Sequence, residues 1–254
     1  MLAKPSPDSA LSALLAQSHR SGRPVPIPAD LAPPNTAAAY AIQHEVLRAC
    51  GQTVAGWKVG SKSPNGHVQG SALPSDCVVP EPAYLSRGDY AVLGLELEVA
   101  FTFSRTFEPR AENYSDEDVM ASLLQMGAAI EIVCSRVAGW PDTDKLIQLA
   151  DMQNHGALIV GEMVDYDPTF SFLSQPAELH VDARTVFSGA GANPAGDPRR
   201  LLPWIVNHCS RQGIALTAGH PVTTGSYVGM HFPDHAETVT GRLGQLPPVR
   251  LMLV

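Results

Sequence analysis

The stretch Gly94 to Phe103, GLELEVAFTF, constrains this chain more than any other. Leu95, Leu97, Val99, Phe101 and Phe103 alternate with Glu96, Glu98, Ala100 and Thr102. An apolar period of two marks a half-buried β-strand, because successive side chains point to opposite faces. Both glutamates therefore share a face, followed there by two small residues. Such a face is either solvated or gathers carboxylates for a chemical purpose, and the pattern alone leaves both open.

A third acid bears on that choice. Glu131 stands inside the apolar run AAIEIVCS. It either points outward from an edge strand or is buried, and a buried glutamate is costly unless paired or bound to metal. Three converging carboxylates repel one another, and a divalent cation would hold them together at neutral pH. Oxygen-only donors suit Mg²⁺ or Mn²⁺. Zinc would ask for His or Cys at tight spacing; the H-x-x-x-H pair His231 and His235 stands far along the sequence from these three acids, and no C-x-x-C pair accompanies it.

Composition narrows the class. With 44% apolar and 17% charged residues, the 254-residue chain can bury a sizeable core. A formal net charge of −8 argues against a nucleic-acid or anionic-membrane surface as partner. The four cysteines are scattered with no C-x-x-C pair, the pattern of a reduced cytoplasmic protein. No signal-peptide h-region is recognisable near the N-terminus, and no apolar run is long enough for a membrane span.

Residues 1–53 read as a helical arm. One helix is expected from Ser9 to Ser18 with Asp8 as N-cap, then a proline-rich link, then a helix starting at Asn35 or Thr36 and ended by Gly51. Residues 54–254 read as strands with occasional helices. Strands are expected at AGWKVG, LELEVAFTF, AAIEIVCSR, GALIVG, VTTGS, ETVTGR and PVRLMLV, with a hairpin turning near Asp182 to Arg184. YSDEDVMASLLQMG is expected as a helix capped by Ser115, and DPRRLLPWIVNHCSRQG as one that starts late or kinks at Pro203. Strands that do not alternate with helices favour an α+β fold with a mixed sheet. No G-x-G-x-x-G follows a strand, so a Rossmann site is unsupported.

GWKVG, LELEVAF, AAIEIVCSR, LADMQNHGALIVG and TTGS, in that order, resemble the 2-keto-4-pentenoate hydratase / 4-oxalocrotonate decarboxylase family of the fumarylacetoacetate hydrolase superfamily. The likeness runs from about Leu11 to Val254. It implies a mixed β-roll with peripheral helices and the N-terminal arm packed against it, assembled as a homo-oligomer built from dimers. It implies Glu96, Glu98 and Glu131 as metal ligands, Lys58 as the acid–base lysine, and Thr224 and Ser226 near the substrate carboxylate. The chain departs from the family at Asp151-Met152, where well-studied hydratases carry Asp-Asn, and in VGSKSPNGHVQGSALPSDC after Lys58; both segments are expected to line the pocket.

The chemistry so implied is hydration of 2-hydroxypenta-2,4-dienoate, or a close analogue, to a 4-hydroxy-2-oxo acid in aromatic-compound catabolism. Lys58 would move protons, with a pKa lowered by burial or a nearby cation. Asp151 would orient Lys58 or a metal-bound water, and His155 would be either a packed histidine or a pocket residue that positions water. Arg136 reads as a structural ion-pair partner. Two alternatives stand beside hydration: a decarboxylase or C–C hydrolase using the same metal site, and a non-catalytic oligomer that binds oxo acids.

Overall fold

The computed structural model describes residues 7–254; the first six residues of the expected arm lie outside this range. Two helices open the chain, α1 (Pro7–Ser21) and α2 (Thr36–Ala49). Asn35 caps α2 by accepting from the Ala38 N–H at 3.0 Å, and Gly51 ends it at φ +69°. Asp8 lies in the first turn of α1 and is not its cap.

The strands that follow are β1 (Val54–Ser61), β2 (Val68–Pro74), β3 (Val78–Pro80), β4 (Ala83–Leu85), β5 (Gly94–Phe103), β6 (Leu123–Val133), β7 (His155–Val160) and β8 (Val164–Asp165). The hairpin β9 (Gln175–Val181) and β10 (Arg184–Gly191) comes next, then β11 (Val222–Ser226), β12 (Thr238–Leu243) and β13 (Val249–Leu253). Three helices sit between strands: α3 (Asp116–Met120), α4 (Lys145–Ala150) and α5 (Leu201–Arg211). The larger sheet runs β2-β1-β11-β5-β6-β7-β3, with β8 beside β6, and the smaller runs β10-β9-β12-β13-β4. Parallel and antiparallel pairs are mixed in both, as an α+β β-roll requires. No helix among the described residues is long and apolar enough to cross a membrane.

The odd-numbered face of β5 forms the core. Leu95, Leu97, Val99, Phe101 and Phe103 are all fully buried. The smaller sheet packs on this face so closely that a Cβ at Gly241 would fall 2.5 Å from Leu97 Cδ1. The other face is not the half-exposed one that alternation implies. Ala100 packs with Leu73, Ala129 and Leu158, Glu98 and Thr102 are buried, and only Glu96 keeps partial exposure. A sheet covered on both sides explains this.

The expected helix YSDEDVMASLLQMG is cut short. Ser115 caps it as anticipated, accepting from the Asp118 N–H at 3.1 Å, but the helix ends at Met120 and β6 starts at Leu123. Pairing with β5 from Phe103 to Gly94 draws these residues into the sheet against their local helical preference. In α5, Pro203 occupies the first turn after a short 3₁₀ segment, so the helix starts late and does not kink. The arm is tied to the strands that follow. Gln43 of α2 donates to the Leu149 carbonyl at 2.5 Å and accepts from Ser71, while Ser18 and Val25 bond the backbone carbonyl of Arg136.

Candidate metal centre and its cavity

Strand register assembles the site. Glu96 of β5 lies directly opposite Glu131 of β6, Ser226 of β11 opposite Glu98, and Lys58 of β1 opposite Thr223. Paired residues in neighbouring strands project to the same face. Four adjacent strands thus bring three carboxylates and a lysine together. Each glutamate offers one oxygen, and these lie within 4.8 Å of one another.

A bulge sharpens the arrangement. The β11–β5 register shifts between Thr223 and Ser226, and Gly225 adopts φ +96°, which a side chain would resist. The shift turns both the Thr223 hydroxyl and the Gly225 N–H (2.8 Å) onto Glu98 Oε2. The Thr224 hydroxyl points elsewhere, donating to the Val99 carbonyl at 3.0 Å. Asn193 locks the bulge by donating to the carbonyls of Thr224 (2.9 Å) and Gly225 (2.8 Å).

Glu131 is fully buried and bonded to both Lys58 Nζ and His155 Nδ1 (2.9 Å) through Oε1. Its Oε2 is buried with no hydrogen-bond partner. Burial favours protonated Glu131, yet Lys58 and His155 outweigh it and hold its pKa down at about 2. Burial, with Glu98 and Glu131 adding, pushes Glu96 up to about 8; burial and Glu131 push Glu98 up to about 7. Two of three clustered acids thus resist ionising without a cation, and one retains an unpartnered buried oxygen. An all-oxygen donor set of this kind fits a hard divalent ion.

Lys58 departs from expectation. Burial disfavours its charge, but Glu131, Glu96 and Glu98 outweigh that and raise its pKa above the ordinary lysine value. It stands as an ammonium, not as a free amine, in the metal-free protein. Its second acceptor is the Gln153 carbonyl at 3.4 Å.

A cavity of about 580 Å³ opens over the cluster, lined by Lys58, the three glutamates and Ser226 among others. The Ser226 hydroxyl donates to the Gly229 carbonyl at 2.7 Å. Thr224 and Asp151 are not among the lining residues. The Asp151 carboxylate neither orients Lys58 nor reaches the glutamates. It accepts from Arg136 Nε at 2.6 Å, the Arg136 N–H at 2.9 Å and the Ser135 hydroxyl at 3.1 Å, which makes Arg136 its ion-pair partner. His155 is buried behind Glu131, outside the cavity lining, and burial lowers its pKa. A neutral imidazole facing a carboxylate must donate from Nδ1.

Sequence reasoning missed Thr223, Asn193 and the cavity-lining Lys145, whereas Gln153 and Asn154, which follow the departing Asp151-Met152 pair, line the cavity as expected of that segment. Thr223 sits one residue before the T-G-S turn, and only the bulge reveals it. Lys62 and His67 belong to the divergent segment after Lys58, which lines the cavity as expected.

No family model matches the chain. It is 27% identical over 264 aligned positions to a 2-keto-4-pentenoate hydratase of Burkholderia vietnamiensis, covering 95% of each protein. Its fold superposes on 4-oxalocrotonate decarboxylase from Pseudomonas putida G7, complexed with magnesium and adipate, at a TM-score of 0.80, with 18% identity and 97% and 98% of the two chains covered. A fumarylpyruvate hydrolase from Pseudomonas aeruginosa, complexed with Mn²⁺ and pyruvate, superposes at a TM-score of 0.54, with 13% identity and 78% and 88% covered.

Proposed function

We propose that this chain, related along nearly all of its length to the 2-keto-4-pentenoate hydratases and built on the fumarylacetoacetate hydrolase fold, is a divalent-metal-dependent hydratase. It adds water to 2-hydroxypenta-2,4-dienoate or a close analogue, giving a 4-hydroxy-2-oxo acid, in the breakdown of aromatic-ring fragments. It works in the cytoplasm as a homo-oligomer built from dimers. The observation that carries the reading is the meeting of Glu96, Glu98 and Glu131 beside Lys58 under one cavity.

In this reading the three glutamates hold Mg²⁺ or Mn²⁺, which when bound supplies Lewis-acid polarisation to the paired oxygens of a 2-oxo acid. Thr223 and Gly225 fix Glu98 by their bonds to Oε2, leaving Oε1 to serve as donor. His155 fixes Glu131 from behind. Lys58 begins protonated at Nζ and acts first as an acid, delivering its proton to the diene terminus as the enol collapses to the ketone, while the 2-hydroxyl O–H bond breaks and its proton returns to the Lys58 amine. Ser226 lines the cavity where the substrate carboxylate enters. Thr224, whose hydroxyl is committed to Val99, acts only through the backbone.

One observation favours decarboxylation of a 2-oxo-enedioate as the second reading. Lys62 and Lys145 line the same cavity and offer a second carboxylate a cationic partner, with His67 beside them. Incubating the protein and Mg²⁺ with 2-hydroxypenta-2,4-dienoate and with a dicarboxylate homologue, then identifying products, separates the readings. Hydrated product is expected from the first. Carbon dioxide from the second alone would overturn the hydratase reading, and no reaction with either would overturn both.

A further inference from the structure

The turn between α4 and β7 is unusual. Met152, Gln153 and Asn154 are three consecutive non-glycine residues at φ +50°, +53° and +59°. Each left-handed residue of this kind costs on the order of 1 kcal/mol or more and persists only where its surroundings impose it. Here the surroundings are explicit. Arg136 grips both ends of the turn, donating from Nη2 to the Asp151 carbonyl at 2.8 Å and from Nη1 to the His155 carbonyl. The Asp151 carboxylate holds the same guanidinium from its other side at Nε. Between the grips, the Asn154 N–H bonds the Asp151 carbonyl at 2.9 Å, the Cys134 N–H bonds the Asn154 carbonyl at 2.7 Å, and Lys58 bonds the Gln153 carbonyl.

The clamped turn presents Gln153 and Asn154 to the cavity beside Lys58 and Glu131. Asn154 is only 9% exposed, and its Oδ1 has no hydrogen-bond partner; nor has Gln153 Oε1. A buried acceptor without a donor costs about 1–3 kcal/mol. Two such acceptors on adjacent residues, held by a strained backbone at the edge of a reaction cavity, fit a small guest that can donate two hydrogen bonds. Water has that capacity.

We propose that Gln153 and Asn154 form the subsite for the water that is added to the substrate, and for the hydroxyl it becomes, and that the Arg136–Asp151 pair acts as its positioning clamp. The inference rests on the hydratase reading. After ketonisation, the oxygen of this water bonds to the distal alkene carbon and one of its O–H bonds breaks. The alkene electron pair moves toward the 2-oxo group, and the carbon next to the ketone takes up a proton. The net change is H and OH across one double bond, with no external oxidant or reductant.

Asn154→Gly tests the proposal, because glycine keeps the left-handed backbone without strain and removes only the amide; Gln153→Gly is its companion. Three quantities are measured on the holoenzyme: Mg²⁺ affinity by calorimetry, solvent-deuterium uptake into the terminal carbon during ketonisation, and formation of the 4-hydroxy product. The expected result is unchanged Mg²⁺ affinity and deuterium uptake with hydration slowed about a hundredfold, the usual scale for a misplaced reactant. Deuterium uptake and hydration falling together would assign the turn a structural role and overturn the proposal, as would hydration at the wild-type rate. Wild-type protein that takes up deuterium without forming hydrated product would overturn the hydratase reading itself, and the water subsite with it.

Discussion

Replacing Lys58 by methionine removes the ammonium and keeps most of the aliphatic stem. Glu131 then retains only His155 as partner, and faces Glu96 and Glu98 with no cation among them. Breaking a buried ion pair by deleting one member costs about 3–5 kcal/mol. The Lys58 side chain keeps 14% exposure, which places the effect at the lower end, about 3 kcal/mol. For a chain of this size that is a fall of roughly 6–12 °C in Tm. Thermal melting in a chelator should show it. Adding Mg²⁺ should recover most of the loss, because a bound dication takes over the neutralising role of the ammonium. Metal binding is therefore retained, while turnover falls by about 10²–10⁴-fold. An unchanged Tm in chelator would refute the energetic argument, and near wild-type turnover would remove Lys58 from proton transfer.

Metal affinity should depend on pH. Burial and neighbouring charge raise Glu96 to about 8 and Glu98 to about 7 from an ordinary 4.5, so between those values the metal-free folded chain binds more protons than the unfolded one. Its stability from these groups declines as pH rises through the window, whereas the contribution of Glu131, lowered to about 2, is present above 4.5 and lost as pH falls toward 2. A divalent ion must displace the protons on Glu96 and Glu98, so its affinity should climb as pH passes about 7 to 8; calorimetry in buffers of different ionisation enthalpy reads the protons released, and a flat profile would contradict the assignment. Gly225→Ala forces a side chain onto φ +96°, costs about 1–3 kcal/mol and draws the N–H off Glu98, which should weaken Mg²⁺ binding in the same titration.

Much of the site was legible because it lies on regular strands. The period of two in β5 puts Glu96 and Glu98 on one face, and the acid in the apolar run of β6 lands opposite the first of them. What was illegible is what breaks a period. The bulge at Gly225 lets Thr223 and Ser226, three residues apart, both face Glu98, a spacing that strict alternation counted from Ser226 does not allow. Helix-like local signals from Tyr114 to Gly127 hide the start of β6, which only pairing with β5 reveals. Asp151, adjacent in sequence to the cavity-lining turn, faces Arg136 because a residue outside the strands follows loop geometry that no periodicity encodes.

The most direct test is titration of Mg²⁺ into wild-type protein and the Glu98→Gln variant, with circular dichroism on both. One ion bound per chain in the wild type, lost in a variant that keeps its fold and has no turnover, is the predicted result. Equal Mg²⁺ affinity in the two proteins, or full turnover by the variant, would contradict the assignment of these three carboxylates to a catalytic metal.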